Sequence, residues 1–88
     1  MSKLYSVKDN VSGKFLAPNA FPSDQVFKRA IGSAVNGPKG SSLLAEYPED
    51  CAAYYLGEFN DDTGLIEAKE PVFLFHCIDL KVTEVDNG

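Results

Sequence analysis

Hydrophobic and polar positions alternate with a period of two near the start of the chain, which is the pattern of a β-strand that is buried on one face. Residues 4–8 alternate in this way, and residues 14–17 follow them after a loop that ends in Gly13. Because glycine accepts left-handed backbone angles at a turn, the two segments predict an N-terminal β-hairpin.

The clearest helical pattern lies between Ser23 and Gly37. Apolar residues recur there at spacings of three and four, which predicts one buried face of a helix over residues 24–36. Ser23 is suited to cap the first turn with its hydroxyl, while Gly37 and Pro38 end the helix. A single further helical turn is predicted over residues 43–46.

The second half of the chain predicts three strands. Residues 52–59 are rich in aromatic side chains, and residues 60–64 supply a turn before a short strand over residues 65–69. Pro71 is expected to break that strand, so residues 72–80 form the last one. Alternation divides this last segment into two apolar faces, with Val72, Leu74, His76 and Ile78 on one face and Phe73, Phe75 and Cys77 on the other.

These elements predict one α+β domain over residues 1–88, in which an antiparallel sheet of four or five strands carries one main helix on one face. Residues 81–88 are expected to form a frayed acidic tail. A strand that is apolar on both faces must be covered on both. The sequence therefore predicts a homodimer that contacts through one face of the last strand, namely Val72, Leu74, His76 and Ile78.

The composition is typical of a soluble globular domain, since 44% of the 88 residues are hydrophobic and 24% are charged. No apolar run approaches the ~20 residues that span a bilayer. The N-terminus lacks the apolar segment of a signal peptide, so a cytosolic location without membrane attachment is expected. Cys51 and Cys77 are then expected to be reduced and packed in the core.

Charge is divided unevenly along the chain, whose net charge is −5. Residues 1–45 contain six basic and two acidic side chains, whereas residues 46–88 contain two basic and eleven acidic ones. This asymmetry is typical either of two solvated faces of different charge or of a surface for a charged partner.

No segment predicts an active site or a metal centre. Asp62-Thr63-Gly64 matches the tripeptide of aspartic proteases, but its polar neighbours favour a hairpin turn. His76 is the only histidine and forms no recognisable pattern with a nucleophile. One histidine and two cysteines also fall short of the four ligands of a structural zinc site. We therefore expect no enzyme, no metal and no cofactor.

Single-stranded nucleic acid is a better candidate ligand. Proteins that bind it combine basic side chains with aromatic rings on which bases stack. The first half of the chain holds a candidate set of both kinds, namely Lys3, Tyr5, Lys14, Phe15, Lys28, Arg29 and Lys39. An isoelectric point near 4.6 argues in the opposite direction.

Two segments also carry a resemblance to a known family: Leu4-Tyr5-Ser6-Val7-x-Asp9 at the start, and in the middle Pro48, Glu49, Asp50, Tyr54, Leu56, Gly57, Phe59, Thr63 and Gly64. This pattern resembles the small nonstructural protein of gokushoviruses, which are single-stranded DNA phages of the Microviridae. The chain departs from it at Cys51, Ala53 and Asn60, which are packing and turn positions.

The resemblance implies a role in phage genome replication, at the stage of single-stranded DNA synthesis. It also implies DNA binding, a location in the host bacterial cytoplasm and absence from the mature virion. The first functional hypothesis is therefore a single-stranded DNA-binding accessory factor. The alternatives are a protein–protein regulator whose acidic half engages a viral replication initiator or a host replication protein, and an acidic decoy that mimics DNA.

Overall fold

Two layers make up the part of the chain that the computed structural model describes, which is residues 2–82. A five-stranded antiparallel sheet forms one layer and one main helix forms the other, so the predicted α+β fold is confirmed. The strands are β1 (Ser2–Asp9), β2 (Lys14–Phe15), β3 (Asn19–Phe21), β4 (Cys51–Phe59) and β5 (Ile66–His76). The helices are α1 (Asp24–Val35), the single turn α2 (Leu43–Glu46) and two 3₁₀ turns, Pro48–Asp50 and Cys77–Leu80.

Strand β1 lies inside the sheet because it has neighbours on both sides. It pairs with β4 along its whole length, and its other edge is shared by the short strands β2 and β3. β4 and β5 form the predicted hairpin, in which Gly64 has the positive φ of 76° that the turn requires. β5 is the last strand of the sheet on that side.

Helix α1 follows the predicted pattern and ends one residue earlier than predicted. The Ser23 hydroxyl accepts a hydrogen bond from the Val26 amide at 3.3 Å, as expected of an N-cap. Three residues of the apolar face are buried, namely Phe27, Ile31 and Val35.

Asn36, which follows α1, fastens the end of the described chain to the helix. Its side-chain amide donates to the Leu80 carbonyl at 2.9 Å, and its oxygen accepts from the Val82 amide at 2.8 Å. The Lys81 amide also donates to Ile78 at 3.0 Å. Lys81 and Val82, the first residues of the predicted frayed tail, are thus hydrogen-bonded to the fold, and its remainder, residues 83–88, lies outside the described residues.

The core lies between α1 and one face of the sheet, and aromatic rings dominate it. The ring of Tyr5 stacks on that of Phe27 with 4.3 Å between ring centroids and 12° between ring planes. Phe21 and Tyr55 meet the Tyr5 ring edge-on, and Phe75 meets Phe27. Ring contacts that centre on Tyr5 of β1 and Phe27 of α1 thus hold the helix to the sheet.

Pro71 does not break the last strand, so the prediction of separate strands over residues 65–69 and 72–80 is wrong. β5 runs through the proline because the pairing register jumps there, from Tyr55 opposite Val72 to Gly57 opposite Ala68. Residues 69–71 bulge out opposite a single residue of β4, and a bulge tolerates a proline, which has no N–H to donate to the ladder. The strand then ends at His76, and residues 77–80 form a 3₁₀ turn instead.

A second bulge in β5 changes which of its side chains share a face. Ala53 lies opposite Phe75 whereas Tyr54 lies opposite Phe73, so Leu74 is an extra residue in β5. Because neighbouring residues of β4 point to opposite faces, Phe73 and Phe75 do so too. The prediction that these two side chains share a face is therefore wrong, and the same bulge separates Leu74 from His76.

Gly57 lies at a place where the backbones of β4 and β5 come close together. Its φ is +149°, and a Cβ atom there would lie 2.2 Å from the Glu67 carbonyl oxygen. We expect Gly57→Ala to lower the free energy of unfolding, because backbone strain alone costs about 1–3 kcal/mol. The steric clash with Glu67 adds to this loss. Urea unfolding followed by circular dichroism measures this change.

Gly32→Ala is the matched control, because Gly32 lies inside α1 and a Cβ atom there meets nothing closer than 3.9 Å. Alanine in a helix interior gains about 0.5–1 kcal/mol over glycine, so this variant should be as stable as the wild type or more so. An unchanged urea midpoint in Gly57→Ala would show that the hairpin does not depend on this close approach.

Candidate nucleic-acid interface

The sheet has a second face, which is turned away from α1. Register assigns residues to it, because side chains directly opposite each other point the same way. Ser6 lies opposite Tyr54, which lies opposite Phe73, and Ala52 lies opposite His76. Lys8 belongs to the same face and pairs with Ala52 on one side and with Phe15 on the other. We call this surface the open face: Ser6, Lys8, Phe15, Ala52, Tyr54, Phe73 and His76.

Four rings of the open face form a continuous chain of contacts across β2, β4 and β5. The ring centroids of Phe15 and Tyr54 are 5.2 Å apart, those of Tyr54 and Phe73 are 5.9 Å apart, and those of Phe73 and His76 are 4.9 Å apart. Phe15 and Phe73 keep 41% and 47% of their surface exposed. We call these four side chains the aromatic row.

Lys8 adds a positive charge at the Phe15 end of the aromatic row. Its Nζ atom lies 5.7 Å from the centroid of the Phe15 ring, within the range of a cation–π contact. An ammonium group in this position is able to reach a phosphate while a base stacks on the neighbouring ring. The open face therefore combines the two features that single-strand binding requires, although with one cation rather than a basic groove.

Tyr5, a predicted binding residue, belongs to the core instead. Its side chain is fully buried against Phe27, and its hydroxyl donates a hydrogen bond to the Asp24 carboxylate. Burial, followed by this contact with Asp24, holds the pKa of the Tyr5 phenol well above its ordinary value. No base can stack on this ring without unpacking the helix, which removes Tyr5 from the candidate set.

The structure does not bring the predicted basic residues together on one surface. Lys3 lies 4.0 Å from Asp24 and opposite Glu58, and Lys14 lies opposite Asp9. Both lysines therefore have acidic residues as neighbours in the fold. The remaining basic candidates are exposed on α1 or in the loop after it, namely Lys28, Arg29 and Lys39. Of the predicted set, only Phe15 lies in the aromatic row.

Sequence reasoning missed Lys8, Tyr54, Phe73 and His76 as parts of one surface. Alternation in β4 separates Tyr54 from Tyr55, but it does not say which of the two meets the helix. Three residues of the predicted dimer face also separate: Leu74 packs against the core, Val72 is 50% exposed and His76 lies in the aromatic row. Ile78 belongs to the 3₁₀ turn and is 39% exposed.

Comparison with known proteins gives one match. A family model described as Phage ORF5 protein matches residues 2–80 of this chain. No curated protein and no solved structure matches it.

No group of three or more histidine, cysteine, aspartate or glutamate side chains in residues 2–82 is placed to hold a metal ion. None of the helices in this range has the length and apolarity needed to cross a membrane.

Cys51 and Cys77 are both buried, and burial raises the pKa of Cys51 from 9.0 to about 11 and that of Cys77 from 9.0 to about 12. Both thiols are therefore protonated at neutral pH and are not activated nucleophiles.

The raised thiol pKa values predict a loss of stability in alkali. Above pH 9 the thiols of the unfolded chain ionise while those of the folded chain stay protonated, so the unfolded state is favoured as the pH rises toward 11 and 12. We expect the urea midpoint of the wild type to decrease as the pH is raised from about 8.5 to about 10. Thiols of the unfolded chain ionise over this interval, because their pKa is about 8.5–9. The double variant Cys51→Ala/Cys77→Ala, measured in parallel, should show a smaller fall over that interval, and the fall that remains comes from other groups with a raised pKa, such as the Tyr5 phenol. Equal falls in both proteins would assign the alkaline transition to other groups.

Proposed function

The chain belongs to the Phage ORF5 protein family, and we propose that it is a non-enzymatic accessory protein of phage genome replication that binds single-stranded DNA on its aromatic row. We further infer that the phage is a gokushovirus, which is supported by the opening pattern Leu4-Tyr5-Ser6-Val7-x-Asp9. The proposed place of action is the host bacterial cytoplasm, and the protein is not a component of the mature virion.

The observation that carries this proposal is the aromatic row itself. Solvent-exposed rings in contact with one another are unusual on a small domain that already has a filled aromatic core on its other face. Stacking of a base on such a ring contributes about 1–3 kcal/mol. Phe15, Tyr54, Phe73 and His76 therefore offer enough stacking surface to bind a short single strand.

The same observation favours single strands over duplex. The row offers ring faces and edges, which meet bases only when the bases are unstacked, and the faces of the bases are covered inside a duplex. The proposed ligand class is thus single-stranded DNA without strong sequence preference.

The acidic character of the chain is consistent with this proposal if stacking, rather than phosphate contact, provides most of the affinity. Lys8 is the cation nearest to the aromatic row among the described contacts. Each phosphate contact to a single strand contributes a slope of about −0.7 to the dependence of log affinity on log salt. One or two such contacts give a shallow slope of about −0.7 to −1.4.

Phe73→Ala tests the proposal directly. Loss of one stacking ring should weaken binding of a labelled single-stranded oligonucleotide about 5- to 150-fold, which corresponds to about 1–3 kcal/mol. Fluorescence anisotropy at two salt concentrations measures both the affinity and its shallow salt slope. Because Phe73 is 47% exposed, the substitution should leave the fold intact, as circular dichroism will verify.

Two variants serve as controls for Phe73→Ala. Ile66→Ala removes a side chain that is 63% exposed in the same strand but lies outside the aromatic row, and it should bind DNA as the wild type does. Lys28→Glu/Arg29→Glu reverses charge on the exposed side of α1 and should change the affinity little. A large effect of the α1 variant, with none from Phe73→Ala, would refute the assignment of the binding surface to the open face.

A second candidate function is regulation through a protein partner, and the far end of the β4–β5 hairpin favours it. Glu58 lies directly opposite Glu67 there, and exposed Leu65 and Ile66 lie beside them. Like charges in this position repel each other across the ladder. Lys69, which lies 3.2 Å from Glu67, and Lys3, which lies opposite Glu58, offset part of that repulsion, and a basic partner would relieve the rest. The partner class would be a basic surface on a viral replication initiator or a host replication protein.

Glu58→Gln/Glu67→Gln tests this second function. The double variant removes the facing charges while keeping similar side-chain shapes, so it should lose capture of a purified replication initiator and should stabilise the hairpin slightly. Phe73→Ala should keep that capture. Equal capture by the wild type and the glutamine variant would exclude the hairpin end as the contact surface.

A further inference from the structure

The outer edge of β5 is a strand edge without a neighbour in the described part of the chain. β5 pairs with β4 on one side and ends the sheet on the other, so one side of its backbone presents N–H and C=O groups outward. Such an edge is a template for another strand unless charges, proline or bulges protect it.

Protection of this edge is confined to the first half of the strand. Charged residues and the proline bulge lie there, namely Glu67, Lys69, Glu70 and Pro71. The second half, residues 72–76, carries no formal charge, and Val72 and Phe73 are about half exposed, at 50% and 47%. An acidic chain thus leaves a neutral, apolar stretch at the edge of its sheet.

This stretch is complementary to itself in one antiparallel register. The bulge turns Leu74 and Phe75 to the covered face and leaves Phe73 and His76 on the open face. If Phe73 pairs with His76 of a second copy, Leu74 pairs with Phe75 of that copy, and every paired side chain points to the same face as its counterpart. A shift by one residue would put Phe73 opposite Phe75, on the wrong face.

We propose that two copies of this chain pair antiparallel through residues 73–76, with Val72 at the border of the pairing, to form one continuous sheet of ten strands. The pairing is isologous, because the same segment serves both copies about a two-fold axis. It differs from the face-to-face contact that the sequence predicts, since β5 contributes its backbone edge rather than an apolar face.

The dimer also extends the proposed DNA-binding surface, and this consequence rests on the proposed function. Pairing of Phe73 with His76 of the second copy joins the two aromatic rows end to end on a common open face. The combined row holds eight rings instead of four, with Lys8 and Lys8 of the second copy at its two outer ends. A single strand long enough to cross both rows should bind more tightly than one that covers a single row.

Val72→Glu, compared with Ile66→Glu, tests the pairing without DNA. Both substitutions add one acid to an exposed apolar position of β5, but only Val72 lies directly beside the self-complementary residues 73–76. Sedimentation equilibrium from about 5 to about 500 µM, a range that brackets the affinity of a small interface, should give a dimer for the wild type and for Ile66→Glu and a monomer for Val72→Glu. Circular dichroism verifies that each variant is folded.

A wild type that stays monomeric over this range overturns the proposal, and so does a Val72→Glu variant that dimerises like the wild type. Loss of the dimer in both variants also overturns it, because the effect would then come from added charge rather than from the edge. If Val72→Glu does not fold, hydrogen exchange of the wild type decides: amides of residues 72–76 should gain protection at high protein concentration, and unchanged exchange refutes the pairing.

The same measurements separate this proposal from the proposed function. Oligomeric state is measured without nucleic acid, so a dimer that does not bind DNA would refute the binding function alone. A monomer that binds single strands through Phe73 would refute the pairing alone.

Discussion

The stack of Tyr5 on Phe27 is the contact on which the rest of the structure depends. It joins the middle of β1 to the first turns of α1 with the two rings nearly parallel and 4.3 Å apart. The hydroxyl of Tyr5 also donates to Asp24, at the start of the helix. This contact fixes which face of the sheet the helix covers. The identity of the open face, and therefore the location of every exposed ring, follows from it.

The bulges in β5 then decide which side chains reach the open face. In a regular strand without the bulge at Leu74, Phe73 and Phe75 would point the same way, and the sheet would have either a larger core or a longer exposed row. In the observed arrangement Phe75 packs in the core and Phe73 lies in the aromatic row. A single inserted residue thus serves both stability and the proposed binding surface, and it also makes the edge complementary to itself.

Local patterns predicted much of the fold, because α1, the N-terminal hairpin and the 60–64 turn each depend on short-range rules of periodicity, capping and glycine placement. The errors arose where pairing overrides local preference. Pro71 is tolerated inside β5 because the residues around it bulge from an edge strand. The candidate site was predictable only for Phe15, because the placement of Tyr5 in the core and of the half-buried Tyr54 on the open face depends on where the helix packs, which alternation does not reveal.

The most direct test of DNA binding on the aromatic row is an NMR titration of the aromatic ring signals with an unlabelled single-stranded oligonucleotide. We expect the ring signals of Phe15, Tyr54 and Phe73 to shift together as the strand binds. Those of Tyr5 and Phe27 should stay in place because their rings are buried in the core. Shifts confined to residues of α1 or to the end of the β4–β5 hairpin, or ring signals that do not respond at all, would contradict it.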